Sequence, residues 1–192
     1  MVYIHMKAKD LISKLREMDS KGVYVFTRAD LEKMFHEEDV LTIESSLARH
    51  VKSGFLTKAC KGIYVNPNSV HLGSSTIEEI AQALRPGEFN YVSLETVLSN
   101  HAVISQIMMD RITVMTTGAK GTYATPWGTI EFTHTKRSRS ELLSRTEFEP
   151  GMAIRYATKQ AAYRDLLRVG RNVHMIDLEE LEEEQELSLI HI

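Results

Sequence analysis

Between residues 8 and 65 the chain sets out three short amphipathic segments with their own start and stop signals, then two strand-like runs joined by a tight linker. Such a succession leaves few folds open, because each segment is too short to be stable alone and must bury its apolar side against the others. Leu11, Ile12, Leu15 and Met18 follow Ala8 at helical spacing, with Gly22 where a helix C-cap is expected. Thr27 stands three residues before Asp30, the spacing of a capping box, and Leu31, Met34 and Phe35 then line one face of a second short helix. Asp39-Val40-Leu41-Thr42 forms a turn with another capping hydroxyl. Beyond it Ile43, Leu47, His50 and Val51 share one side and Gly54 closes the element, so a third helix is expected over about residues 42 to 53. Phe55-Leu56-Thr57-Lys58 and Ile63-Tyr64-Val65 follow as strands, bridged by Ala59-Cys60-Lys61-Gly62, with glycine where a positive φ is needed.

Three short helices and a tight hairpin are the plan of a winged helix-turn-helix, in which the third helix enters the major groove and the hairpin lies along the backbone. On that plan Thr42, Ser45, Ala48, Arg49 and Lys52 point away from the apolar stripe of helix three. Small residues let a helix approach base edges closely; Arg49 suits a bidentate base contact and Lys52 a phosphate. Lys58 and Lys61 add charge to the wing, and Arg28, at the start of helix two, is a backbone contact. Every amphipathic helix also has a polar face, and winged helices serve as protein-interaction modules too, so the competing reading is a solvated surface. Phosphate contacts would supply most of the affinity, and a homodimer on DNA the rest.

The net charge of −3 conceals an uneven distribution. Residues 1–72 carry 11 basic and 9 acidic side chains, residues 73–172 carry 12 and 10, and residues 173–192 carry none and 7. A basic body with an acidic tail is compatible with a polyanion-binding surface, and equally with a solvated acidic helix end. The chain closes on an apolar run, Leu187-Ser188-Leu189-Ile190-His191-Ile192, either a docked terminal strand or a cloning scar. Cys60 has no second cysteine to pair with, no run approaches the ~18 apolar residues of a membrane span, and the first twenty positions are too charged for a secretory signal. A cytoplasmic protein is the expectation.

Enzyme and metal signatures are missing. The eight histidines, at 5, 36, 50, 71, 101, 134, 174 and 191, include no i,i+4 pair, and no Cys-x-x-Cys accompanies them. Ser93, Glu95 and His101 lie close in sequence, but no Gly-x-Ser-x-Gly elbow surrounds Ser93, which reads as a helix cap, and His101 reads as a helix-end histidine. Cys60 would be a redox sensor only if Lys58 and Lys61 stabilised its thiolate. No Walker lysine and no Gly-x-Gly-x-x-Gly occurs, so no cofactor is indicated and the chain is not read as an enzyme.

A linker rich in turn residues, Asn66-Pro67-Asn68-Ser69 and Gly73-Ser74-Ser75, separates a first domain, residues 1–72, from a second, residues 73–176, with an acidic tail over 177–192. Thr76-Ile77-Glu78-Glu79 reads as a capping box opening a helix to Leu84. Ser93 opens another, reaching about His101. Arg111 to Thr116 is β-rich, and Thr122 to Thr125 and Thr129 to His134 flank Pro126-Trp127-Gly128 as a hairpin would. Met152 to Tyr156 is a short strand and Thr158 caps a helix reaching about Val169. The second domain is therefore expected to be mixed α+β.

The winged-helix start, the wing ending Gly62-Ile63-Tyr64-Val65, the segment Tyr91-Val92-Ser93-Leu94-Glu95-Thr96-Val97-Leu98, the hairpin Thr125-Pro126-Trp127-Gly128-Thr129-Ile130-Glu131-Phe132 and the helix from Ala157 to Leu167 together resemble the AbiEi-like antitoxins of abortive-infection (type IV) toxin–antitoxin systems. The resemblance covers residues from about 10 to 175; Lys159-Gln160 departs from it, standing where a proline and an acidic residue are expected. It implies a bifunctional protein of phage defence. Its winged helix would bind inverted repeats in the promoter of its own operon and repress transcription, while the second domain would counteract a nucleotidyltransferase toxin without a tight complex. Two basic features of the second domain suit phosphates: the loop Lys136-Arg137-Ser138-Arg139, and Arg164, Arg168 and Arg171 at i, i+4 and i+7. The alternative is a winged-helix regulator whose second domain binds a ligand, an RNA or a protein.

Overall fold

A computed structural model describes residues 6–36, 40–105 and 110–181 as a mixed α+β chain of two compact units. The first comprises the residues up to Leu84 together with the short turn Thr125–Trp127, and the second comprises the rest.

In the first unit the order is α1 (Ala8–Asp19), β1 (Val25–Thr27), α2 (Arg28–Met34), α3 (Val40–Lys52), β2 (Thr57–Cys60), β3 (Ile63–Val65) and α4 (Thr76–Leu84). Local signals set several of these boundaries. Thr27 Oγ1 accepts from the Asp30 N–H at 3.1 Å and the Thr27 N–H donates to Asp30 Oδ2 at 2.9 Å, a complete capping box for α2. Gly54, at φ +73°, turns α3 into the hairpin, where the Phe55 and Leu56 N–H groups both donate to the His50 carbonyl. The apolar faces of the helices meet in one core of Met6, Leu11, Leu15, Phe26, Leu31, Ile43, Leu47, Leu56 and Tyr64. Each large side chain there is worth about 1.5–3 kcal/mol by removal from water.

The strands form an antiparallel sheet in the order β1-β3-β2. β1 is not part of the sequence expectation: three residues are too few to show alternation, and it exists because Val25, Phe26 and Thr27 pair with Val65, Tyr64 and Ile63. α3 begins at Val40, so Thr42 lies in its first turn and does not cap it. Asp39, expected in that turn, lies outside the described residues. The units part between Leu84 and Arg85, later than the sequence boundary at 72/73. α4 stays with the first unit because Ile77, Ile80 and Ala81 are buried, the helix packs on β1 and β3, and Thr76 Oγ1 lies 3.3 Å from the Tyr24 hydroxyl. Thr76 is itself helical and accepts from the Gly73 N–H, so it does not supply the expected cap.

The second unit runs β4 (Asn90–Val92), α5 (Glu95–Asn100), β5 (Arg111–Thr116), β6 (Gly121–Thr125), β7 (Gly128–His134), α6 (Arg139–Leu143), β8 (Thr146–Glu147), β9 (Arg155–Ala157) and α7 (Lys159–Val169). Its six strands form one mixed sheet in the order β6-β7-β5-β4-β9-β8. β5 lies parallel to β7 from Arg111↔Thr129 to Thr116↔His134, and β4 lies antiparallel to β5 and parallel to β9. The strand expected at 152–156 starts only at Arg155, and the stretch read as a polar loop holds α6, whose Ser138 and Glu141 close a capping box. Thr158 caps α7 as expected, accepting from the Ala161 N–H at 3.2 Å, and Gly170 ends it in the left-handed region at φ +73°. Lys159, at the departure from the family pattern, is 5% exposed and donates to the Glu180 carbonyl at 2.9 Å. Most of the acidic tail, residues 182–192 with its apolar end, lies outside the described residues. No helix among the described residues is long and apolar enough to cross a membrane.

Candidate nucleic-acid interface

α3 buries Ile43, Ser46, Leu47 and His50 and turns Glu44, Ser45, Ala48, Arg49 and Lys52 outward, with Thr42 half-buried. The division follows from 3.6-residue periodicity: the buried positions recur at spacings of three and four. The outward face is small where a groove demands it, at Ser45 and Ala48, and cationic towards the C-terminal end. Cations there also suit the negative end of the helix dipole. Immediately after the Gly54 turn, β2 and β3 form the hairpin, which carries exposed Lys58 and Lys61. Gly62, at φ +78°, closes its tip, and the Gly62 carbonyl receives the Arg28 N–H at 2.8 Å, tying the hairpin to the start of α2.

Three of the expected contacts acquire partners inside the protein. The Arg28 guanidinium binds Glu32 at 2.7 Å and faces Glu44 at 3.7 Å, so its charge is locally compensated and its own pKa is raised by the Glu32 hydrogen bond. That makes Arg28 a weaker phosphate contact than its position in sequence implies. Ser45 Oγ donates to the Thr42 carbonyl at 2.8 Å. Arg49 Nη2 donates to the Met6 carbonyl at 3.0 Å and to Ser46 Oγ at 3.3 Å. Both Arg49 bonds come from Nη2, one terminal nitrogen of a group with five N–H donors, so the head of the side chain is tethered while the residue stays exposed. Lys52, Lys58 and Lys61 keep the exposed positions expected of them. Burial pushes the Cys60 thiol up against the opposing charge of Lys58, which favours the protonated form and removes the basis for a reactive thiolate.

The second unit does not assemble the expected six-residue basic patch. Arg137 turns inward onto fully buried Asp165, which also faces Arg145 Nη2 at 3.6 Å. Gly170 carries the chain off α7 before Arg171, which therefore leaves the helical stripe and binds Glu95 through Nε at 2.8 Å and Nη2 at 2.9 Å, and also Glu131. Lys136, Arg139, Arg164 and Arg168 stay exposed, Arg139 with its guanidinium 5.6 Å from the Phe89 ring centre.

What replaces the patch is a buried polar centre. Asp165 Oδ2 accepts from the Tyr91 hydroxyl and from Ser93 Oγ, each at 3.0 Å. Ser93 therefore serves this carboxylate and is not a cap; the cap position belongs to Leu94, held at φ 59°, ψ −136° between strand and helix. Burial, then the Asp165 charge, pushes the Tyr91 phenol up, so it remains a donor. Burial raises the Glu95 carboxyl, but the hydrogen bonds from Arg171, from its own backbone and from Asn172 outweigh that and hold it below 4.5. The signal for this centre was present as Tyr91, Ser93 and Glu95 at alternate positions. Its partners, some 40 to 80 residues further on, carry no local mark. Among the described residues, no group of three or more His, Cys, Asp or Glu side chains is placed to hold a metal ion.

Compared with known proteins, the chain matches no family model and no curated protein.

Proposed function

We propose that the chain is a DNA-binding antitoxin of the abortive-infection type, which represses its own operon through an N-terminal winged helix and is not an enzyme. The observation that carries the DNA-binding half is the outward face of α3, small at Ser45 and Ala48 and basic at Arg49 and Lys52, followed directly by a hairpin bearing Lys58 and Lys61. The topology of three helices with a three-stranded antiparallel sheet supports the winged-helix reading. In that reading α3 lies in the major groove and Lys52, Lys58 and Lys61 bind phosphates, so affinity is strongly salt-dependent. The antitoxin half, acting against a nucleotidyltransferase toxin without a tight complex, rests on the sequence resemblance alone. Gel shift on the DNA upstream of the gene tests the first half. Lys52→Ala and Lys61→Ala should each weaken binding across all sequences and lower the slope of log K against log salt by about 1. An unchanged slope in both variants would remove α3 and the hairpin from the interface. Co-expression with the product of the adjacent gene tests the second half: loss of rescue when residues 85–192 are deleted is the expected result.

A further inference from the structure

A hollow of about 450 Å³ lies between α1 and the two ends of the β2–β3 hairpin. Ile12, Leu15 and Phe55 give it an apolar wall, and Arg16, Asp19, Asn66 and Asn68 supply its polar groups. That size and that mixture, an apolar wall with a few polar groups, are those of a small-molecule site. Asn66 carries the strongest sign. It is 4% exposed, and its Oδ1 accepts the Asn68 N–H at 3.1 Å, which settles which end of the amide is which. Its Nδ2 then has no hydrogen-bond partner among the described residues, so a buried side chain at the wall of the hollow keeps two N–H donors unsatisfied. Arg16, in the last turn of α1, is exposed and its guanidinium makes no ion pair among the described residues. Asp19 stands three residues further on, within reach of the same ligand. Its Oδ1 accepts from the Ser69 hydroxyl and its Oδ2 from the Val70 N–H at 3.5 Å, which hold the carboxylate in place and leave each oxygen a further acceptor position. The wall therefore presents donors at Arg16 and Asn66, an acceptor at Asp19, and no net charge. Asp19 repels a simple anion and Arg16 a simple cation, whereas a zwitterion satisfies both.

We propose that this hollow binds a free apolar α-amino acid, its carboxylate on the Arg16 guanidinium and Asn66 Nδ2, its ammonium on Asp19, and its side chain against Ile12, Leu15 and Phe55. The site lies wholly within the first unit. It stands whether or not α3 reads DNA, because its ligand is measured on the free protein.

The test is an amide NMR titration of the full chain with L-phenylalanine. It is run beside 3-phenylpropanoate, which lacks the ammonium, and L-phenylalaninamide, which lacks the carboxylate and imitates the N-terminus of a peptide. Saturable shifts at the Asn66 side-chain NH₂ and at the Arg16 and Asn68 backbone amides are expected at millimolar concentration or below. Each analogue should bind at least tenfold more weakly, because each leaves a charged group of the wall without its partner. Arg16→Gln, at an exposed position, should keep the fold and weaken phenylalanine binding at least tenfold. Asn66→Asp keeps the acceptor for the Asn68 N–H and sets a charge against the ligand carboxylate, so it should abolish binding; a melting curve shows whether it folds, and Arg16→Gln decides alone if it does not. Lys14→Gln, on α1 but outside the hollow, should leave the affinity unchanged. Equal affinity for either analogue, unchanged phenylalanine binding in Arg16→Gln, or no saturable shift at millimolar concentration would overturn the site.

Discussion

Asp165→Asn tests the polar centre of the second unit most directly. The carboxylate is 0% exposed and receives four contacts: the Tyr91 and Ser93 hydroxyls on Oδ2, and Arg137 and Arg145 on Oδ1. The amide keeps the shape but removes the charge and replaces one acceptor oxygen with a donor. Turned so that its oxygen faces Arg137, it points its NH₂ at two hydroxyls that must then rotate to accept; turned the other way, it meets a guanidinium head-on. Either way the arginines lose their counter-ion in a poorly solvated site. Removing one partner of a buried pair costs about 3–5 kcal/mol. Because the Arg137 and Arg145 side chains retain 14% and 22% exposure, water recovers part of the loss, and the lower end, about 3 kcal/mol, is expected. For a unit of about 105 residues that lowers the melting temperature by roughly 14 °C. Differential scanning calorimetry reads it, with Tyr91→Phe as a graded comparison that removes one hydrogen bond to a charged group, worth about 1.5–3 kcal/mol. A shift below about 2 °C for Asp165→Asn would mean that the carboxylate is not a structural counter-ion.

Two further outcomes follow from the same geometry. Glu95 is held below 4.5 in the folded protein, so its stabilising contribution is complete above that value and is lost as the pH falls through the depressed folded value. Urea denaturation as a function of pH should show this acid loss, and Glu95→Gln should be less stable at neutral pH with a flatter acid limb. An equally steep limb in the variant would place the titration elsewhere. Truncation after Leu181 removes four glutamates while keeping the Ile104↔Ile176 bridge and the Asp177 N–H to Val103 carbonyl bond. If the tail competes for a basic surface, truncation should tighten duplex binding most at low salt; salt-independent tightening would exclude an electrostatic cause.

The sequence by itself determined what short-range physics decides. The Thr27 and Asp30 capping box, the Thr158 cap, the Gly170 terminus and the apolar stripes of α1 and α3 involve residues within four positions of one another, and they stand where periodicity and capping rules place them. The Ser138 and Glu141 box of α6 is equally local but stands inside a run of charged residues that reads as a loop. Tertiary structure alone decided the rest. β1 and β4 are three residues each and become strands only through partners brought to them by the fold. The grouping of α4 with the first unit depends on burial against β1 and β3. Charge was the least legible property. Arg28, Arg137 and Arg171 read in sequence as available cations, and the fold sets each against a carboxylate: Arg28 at the surface within one helix, Arg137 and Arg171 in part-buried sites where a charge is tolerated only beside its opposite. Pairing across 28 residues for Arg137 with Asp165, and across 76 for Arg171 with Glu95, leaves no trace in local pattern, so the sequence shows which side chains carry charge and the fold decides which of them remain for a partner.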